Sequence, residues 1–352
     1  MSYNDVSYNV ITDPVGALLP DINELFYRNS SVDLIPVYTH TYQLRNSVGK
    51  VVADNMYPFK SPVAYTPLDS VPYLARDASN NIYTTTGQAF STAVFKLVNN
   101  AFVALDIIIP NTFFSFPSLR PRGIAFDSSG ILYISTSGTG DFPLPAYPYI
   151  SPVYSKVFKV KFTDTSTTLT EFNISNVTLN ELVGLDFDSS GNLYIADKAN
   201  NQIIKVTMVD YNNGIGSVFI PNYTGLNGPV DIKFDPYNNA YIANYNENNI
   251  IKVSSAGIVS IFATSVLTPA EITYNLADGA LYITNNSADG ITPPNVYRVV
   301  NGIVSNESSV AGSNSPYGIV STTTGDIYYA SQDPTYIPPP PSTILYSAVY
   351  PI

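Results

Sequence analysis

Short apolar runs separated by polar clusters recur along the chain, and the pattern is sharpest over residues 184–206, GLDFDSSGNLYIADKANNQIIKV. Two runs, 185–187 and 193–196, flank Asp188-Ser189-Ser190-Gly191-Asn192, and a third, 202–206, follows. Asp, Ser and Asn side chains bond nearby backbone N–H groups, and Gly and Asn tolerate positive φ, so the polar cluster predicts a tight hairpin. The segment reads as strand, turn, strand, loop, strand.

That unit repeats. Copies stand at 77–86 (DASNNIYTTT), 127–136 (DSSGILYIST), 188–197 (DSSGNLYIAD), 235–244 (DPYNNAYIAN), 275–285 (NLADGALYITN) and 322–331 (TTTGDIYYAS). Their tyrosines, Tyr83, Tyr133, Tyr194, Tyr241, Tyr282 and Tyr328, are spaced 50, 61, 47, 41 and 46 residues apart. A period of roughly 40–50 residues with several strands per copy is the signature of a β-propeller, one blade per repeat. The expectation is an all-β, six-bladed β-propeller of four-stranded antiparallel blades. Blade limits fall near 71–112, 120–176, 181–222, 228–265, 269–311 and 316–349, the first strand of each lining the inner wall.

Residues 1–30 lie outside the repeat and are expected to form an N-terminal arm, with Asp21 three residues before Glu24 capping a short helical turn. The propeller is expected over 31–352. Its last copy has only three apolar runs, 318–320, 326–330 and 344–349, so segment 31–70 is expected to supply the missing outer strand and close the ring.

The repeated Tyr offers a large apolar body to pack between blades and a hydroxyl to reach a polar partner. The repeated Asp caps its turn. Neither is read as a site residue. Candidate recognition falls instead on insertions at 138–154, 286–295 and 332–342, which strand direction places on one rim. Their prolines stiffen the loops, and Tyr147, Tyr149 and Tyr336 offer aromatic contacts.

Charge and composition narrow the partners. Sixteen Lys and Arg against 27 Asp and Glu give a net charge of −11, which opposes nucleic-acid backbones and anionic lipid. Cys is absent, excluding disulfides and thiolate chemistry. The first residues lack the basic start and apolar stretch of a signal peptide, and the most apolar run, 101–109, is interrupted by Asp106, so no membrane span is expected. A soluble monomer is expected and its compartment is left open; cytoplasm and virion are the candidates, since the richness in Asn, Ile and Tyr fits an AT-rich viral or protist genome.

GIAFDSSGILYIST (123–136) and GLDFDSSGNLYIADKANNQIIKV resemble NHL repeats over about residues 71–349, most closely in the second to fourth copies. The resemblance implies a six-bladed propeller that mostly binds partners. More distant similarity extends to gluconolactonase and paraoxonase-like propellers, in which Glu, Asn and Asp at the start of inner strands hold calcium in the central channel. The matching slots here are Pro72, Arg122, Val183, Val230, Ala270 and Tyr317, none of them an acid or amide. Asp231 and Glu271 stand one residue later, and Asp197, Asn244 and Asn285 end second strands. Asp231, Glu271 and Asn244 are the candidates for a displaced Ca2+ site; no other cofactor is expected.

The single histidine, His40, lies in the N-terminal segment, so Ser-His-Asp hydrolysis and histidine metal sites have no ligand or base set. The function expected is a non-catalytic protein-binding or structural module working through the loop rim. Arg122, Asp197, Asp231, Asn244, Glu271 and Asn285 are the polar contacts around the channel mouth. Two alternatives remain: a calcium-dependent lactonase-like hydrolase with a displaced metal, and a propeller that binds a glycan.

Overall fold

The computed structural model describes residues 73–85, 94–98, 101–105, 107, 118–139, 155–163, 166–210, 212–221, 223–285, 295–309 and 314–332, with the backbone of short strands at 27–28, 34–35, 38–40, 42–46, 51–53 and 59–61. Among the described residues every regular element is a strand except two 3-10 turns, Lys198–Asn200 and Tyr245–Glu247. No helix among them is long and apolar enough to cross a membrane.

The first five copies each form a four-stranded antiparallel meander. In the third, Leu182–Phe187, Leu193–Asp197, Gln202–Met208 and Asn213–Val218 pair in order, as the apolar runs predict. The first strands, Leu74–Arg76, Ser118–Phe126, Leu182–Phe187, Pro229–Phe234, Pro269–Asn275 and Asn314–Ser321, each lie at an edge of their sheet. Consecutive first strands lie against one another, and Asn314–Ser321 lies against Leu74–Arg76. The fold is an all-β, propeller-type arrangement. One feature escapes the repeat pattern: the outer strands Thr167–Ser175 and Asn213–Val218 pair in parallel, merging the second and third copies into one eight-stranded sheet.

The sixth copy takes its outer strands from the other end of the chain. Tyr42–Asn46 pairs with Ile327–Gln332, and Val51–Ala53 pairs with Tyr42–Asn46. The N-terminal segment thus provides two strands where one was expected, and it takes the third place that 344–349 was expected to fill. Residues 344–349, the helical turn near Asp21 and, but for the backbone of 27–28, the expected arm over 1–30 lie outside the described residues.

Aromatic side chains join the copies. The repeated tyrosine packs on the residue just before the turn Asp of the next copy: Tyr83 on Phe126, Tyr133 on Phe187 and Tyr194 on Phe234, with ring centroids 4.8, 4.9 and 4.7 Å apart. Third-strand lysines lie over the same rings, Lys96, Lys205 and Lys252 at 5.3, 5.4 and 5.3 Å from the centroids of Tyr83, Tyr194 and Tyr241. The hydroxyls of Tyr83, Tyr194 and Tyr241 donate to Oδ2 of Asp77, Asp188 and Asp235 at 3.1, 3.1 and 3.2 Å. The other oxygen of each Asp accepts the turn's own N–H groups, as in Asp188 with Ser190 and Asn192, both at 2.9 Å. The structural reading of both repeated residues holds.

Candidate functional site

The first strand of each copy has a free inner edge, so its N–H groups there need partners from outside the ladder. Pairing with the second strand also slips near the start of this strand, between Leu182/Leu185, Pro229/Asp231 and Pro269/Ile272 among others. Such bulges re-aim side chains. Four residues before the turn Asp or its equivalent stand Tyr73, Gly123, Gly184, Asp231, Glu271 and Gly318; two residues before it stand Ala75, Ala125, Asp186, Lys233, Thr273 and Val320. Strand alternation puts these two positions on the same side.

Acids at these positions tie one copy to the next. Asp231 Oδ2 accepts from Ile272 N at 2.8 Å, and Asp186 Oδ2 accepts from Phe234 N at 3.0 Å. Thr273 Oγ1 accepts from Ser321 N at 3.0 Å. Glu271 reaches furthest: it accepts from Ile319 N at 2.7 Å and Leu74 N at 3.2 Å, spanning the last copy and the first.

Lys233 stands among these acids. Its Nζ lies 3.7 Å from Asp231 Oδ1 and donates to the carbonyl of Leu185 at 3.3 Å. Asp231 is wholly buried, and among the described residues its Oδ1 has no hydrogen-bond partner. Burial pushes the Asp231 carboxyl up to about 6, against the pull of Lys233. Burial and then the Asp231 charge raise Glu271 well above the usual carboxylate range, and burial raises Asp186. Burial alone would lower the Lys233 ammonium, but Asp231, Asp186 and Glu271 outweigh it and move its titration upward.

The remaining candidates from sequence bond outside this cluster. Arg122 is buried and donates from Nε to Ser137 Oγ at 3.0 Å, while its carbonyl accepts from Thr85 Oγ1 at 2.7 Å. Asp197 accepts from Asn180 N, Asn200 Nδ2 and Gln202 Nε2 at 3.1, 2.9 and 2.9 Å. Asn244 holds Asn227 N at 2.7 Å and donates to Gly225 O at 2.9 Å, and Asn285 Oδ1 accepts from Asn295 N at 2.7 Å. Of the six, Asp231 and Glu271 belong to one cluster, Arg122 bonds Ser137 and Thr85, and Asp197, Asn244 and Asn285 each brace a neighbouring loop. Tyr147, Tyr149 and Tyr336 lie outside the described residues, as does nearly all of the three loops.

A divalent cation asks for about six to eight oxygen ligands. Among the described residues no three acid, His or Cys side chains converge to hold one. Asp231 and Glu271 spend oxygens on backbone N–H groups, an ammonium stands beside the remaining Asp231 oxygen, and Asn244 is turned onto its own loop. This set does not fit calcium.

A cavity of about 340 Å3 opens near the turn ends of the first strands, lined by residues that include Arg76, Asp186, Lys233, Phe234, Thr273 and Ser321. It thus lies near the opposite end of the first strands from the bulges at Leu182/Leu185, Pro229/Asp231 and Pro269/Ile272. Donors and acceptors face each other there: Lys233, the hydroxyls of Thr273 and Ser321, the Asp186 carboxylate, and Arg76, whose Nε donates to Ser321 O at 2.7 Å. None of these residues was named from sequence. The signal was present in the two-residue alternation along the first strand, which puts Asp186, Lys233 and Thr273 in step with Gly184, Asp231 and Glu271.

No protein-family model matches the chain, and no curated protein matches its sequence. Solved structures do match its fold. A proposed phosphatase of Bacteroides thetaiotaomicron is 15% identical, with a TM-score of 0.50, over 84% of this chain and 79% of that one. Virginiamycin B lyase of Staphylococcus aureus is 16% identical, with a TM-score of 0.47, over 82% of this chain and 99% of that one. A gluconolactonase of Xanthomonas campestris is 11% identical, with a TM-score of 0.48, over 87% and 94%. These neighbours carry enzyme descriptions, and at such identities the likeness speaks to fold alone.

Proposed function

We propose that this chain is a six-bladed propeller of NHL-like repeats, closed by strands 42–46 and 51–53, that acts on a small polar molecule in its channel as a hydrolase of the lactonase kind. The observation that carries this reading is Lys233. Its ammonium lines a cavity of about 340 Å3, within the usual size of small-molecule sites, with Asp186 on the same wall. In the loop-rim reading the chain only docks a protein; its aromatic contacts lie outside the described residues, and of its polar ones Asp197, Asn244 and Asn285 are bonded to neighbouring loop residues.

In this reading Lys233 donates to the carbonyl oxygen of a cyclic ester and stabilises the oxyanion that forms there. Asp186, held through Oδ2 by Phe234 N, takes a proton from the attacking water. Its raised titration brings it nearer to the pH at which a base must work. The ring C–O bond then breaks, and Asp186 returns the proton to the leaving alkoxide. One water is consumed and one hydroxy acid is made. No metal enters any step.

The test is a panel of five- and six-membered lactones and aryl esters, assayed with a chelator present. Turnover should survive the chelator and fall about 100-fold or more in Lys233→Met, the usual effect of losing one oxyanion donor. If no compound is turned over and none shifts the melting temperature, the reading returns to a binding module on the loop rim.

A further inference from the structure

We infer that the channel carries its own cation: the Lys233 ammonium, beside the buried Asp231 carboxylate and on a cavity shared with Asp186, makes these residues unfit to hold a divalent metal ion. This holds whether or not a lactone is the substrate.

Three consecutive copies each contribute one acid: Asp186 the third, Asp231 the fourth and Glu271 the fifth. Each gives an oxygen to a backbone N–H of a neighbouring copy, which fixes its position. Among the described residues the Asp231 Oδ1 is left without a hydrogen-bond donor, and the Lys233 Nζ stands 3.7 Å from it. A calcium ion on that oxygen would sit about 2.3–2.6 Å away, with a like charge only 3.7 Å from the same oxygen. Repulsion between the two cations disfavours the metal.

The pair is built by spacing. Asp231-Ile232-Lys233 places acid and ammonium two residues apart on one strand, hence on the same side. The other five first strands carry Tyr73-x-Ala75, Gly123-x-Ala125, Gly184-x-Asp186, Glu271-x-Thr273 and Gly318-x-Val320 at these positions, so at these positions the cation is delivered once, by the fourth copy. Tethering removes the entropy of capturing a free ion and makes the cluster independent of metal supply.

The experiment uses the full chain. Calcium and terbium are titrated into metal-stripped wild type by calorimetry and tyrosine-sensitised luminescence. No saturable binding that Asp231→Asn removes is the expected result. Lys233→Ala should melt below wild type and recover in n-propylammonium chloride, which refills the space with an ammonium, but not in tetramethylammonium chloride at equal ionic strength. Saturable calcium binding by wild type that Asp231→Asn abolishes would overturn the inference. So would a Lys233→Ala chain as stable as wild type. If Lys233→Ala does not fold, the wild-type titration decides alone.

Discussion

Gly184 has no side chain because Asp231 occupies the space. A Cβ at 184 would run into the Asp231 carboxylate and come within 2.8 Å of the Asp231 Cα. Glycine is required here for close approach of two first strands rather than for an unusual φ. Gly123 stands in the same relation to Val183 of the following copy. Gly184→Ala is therefore expected to destabilise the chain by about 1–3 kcal/mol, the usual range for overpacking. In an Asp231→Ala background the penalty should shrink, and a double-mutant cycle by urea denaturation measures the coupling.

Glu271 is the acid that reaches across to both the first and last copies, and its loss should loosen that junction first. Glu271→Ala leaves the Leu74 and Ile319 N–H groups without their acceptor, at about 1–3 kcal/mol for a buried group left unpaired. Hydrogen exchange at those two amides should accelerate well before exchange in the third copy does. Uniform acceleration along the chain would show that Glu271 is not a local clasp.

Stability should fall as pH rises through mild acid. Asp231 titrates near 6 in the folded chain against an ordinary 3.8, so between those values the folded state keeps a proton that the unfolded state has lost. Glu271, raised by burial and by Asp231, extends the fall upward. Asp188 works in the opposite sense. Burial pushes it up, but bonds from Asn192, Tyr194 and Ser190 outweigh this and hold it below its usual range, so its contribution fades in stronger acid. Urea midpoints from about pH 4 to pH 7 should decline, and Asp231→Asn should flatten the slope.

The tyrosine repeat makes a graded forecast. Tyr194→Phe removes only the bond to Asp188 and should lose about 0.5–1.5 kcal/mol. Tyr194→Ala also strips the ring from Phe219 and Phe234 and should lose about 3–5 kcal/mol. Thermal melts of both variants check the order.

The repeat was legible because one physical unit recurs: an Asp that closes its turn and a Tyr that bonds that Asp. Asp188 and Tyr194 do both, and spacing alone located them. The channel was less legible. Counting back from the turn Asp gave Val183, Val230 and Ala270, which sit where the strand bulges, and strict alternation loses its meaning at a bulge. Asp231 and Glu271 were found one residue later, but sequence could not tell that their oxygens meet Ile272, Ile319 and Leu74 N–H groups from other copies. Lys233 was passed over because lysine is usually a solvent-exposed residue, and only the fold brings it beside Asp231. The parallel pairing of Asn173–Ser175 with Asn213–Ile215 has no sequence signal at all, since outer strands of neighbouring copies carry no shared motif.

The most direct measurement is a crystal structure of the full chain soaked with a lactam, the slowly hydrolysed analogue of a lactone. Density is expected in the cavity between Lys233 and Asp186, with the lactam carbonyl oxygen within hydrogen-bond reach of the Lys233 ammonium and no metal ion beside Asp231. A lactam seated at the insertion-bearing rim instead, or a calcium ion on Asp231 and Glu271 with Lys233 turned away, would contradict the channel chemistry described here.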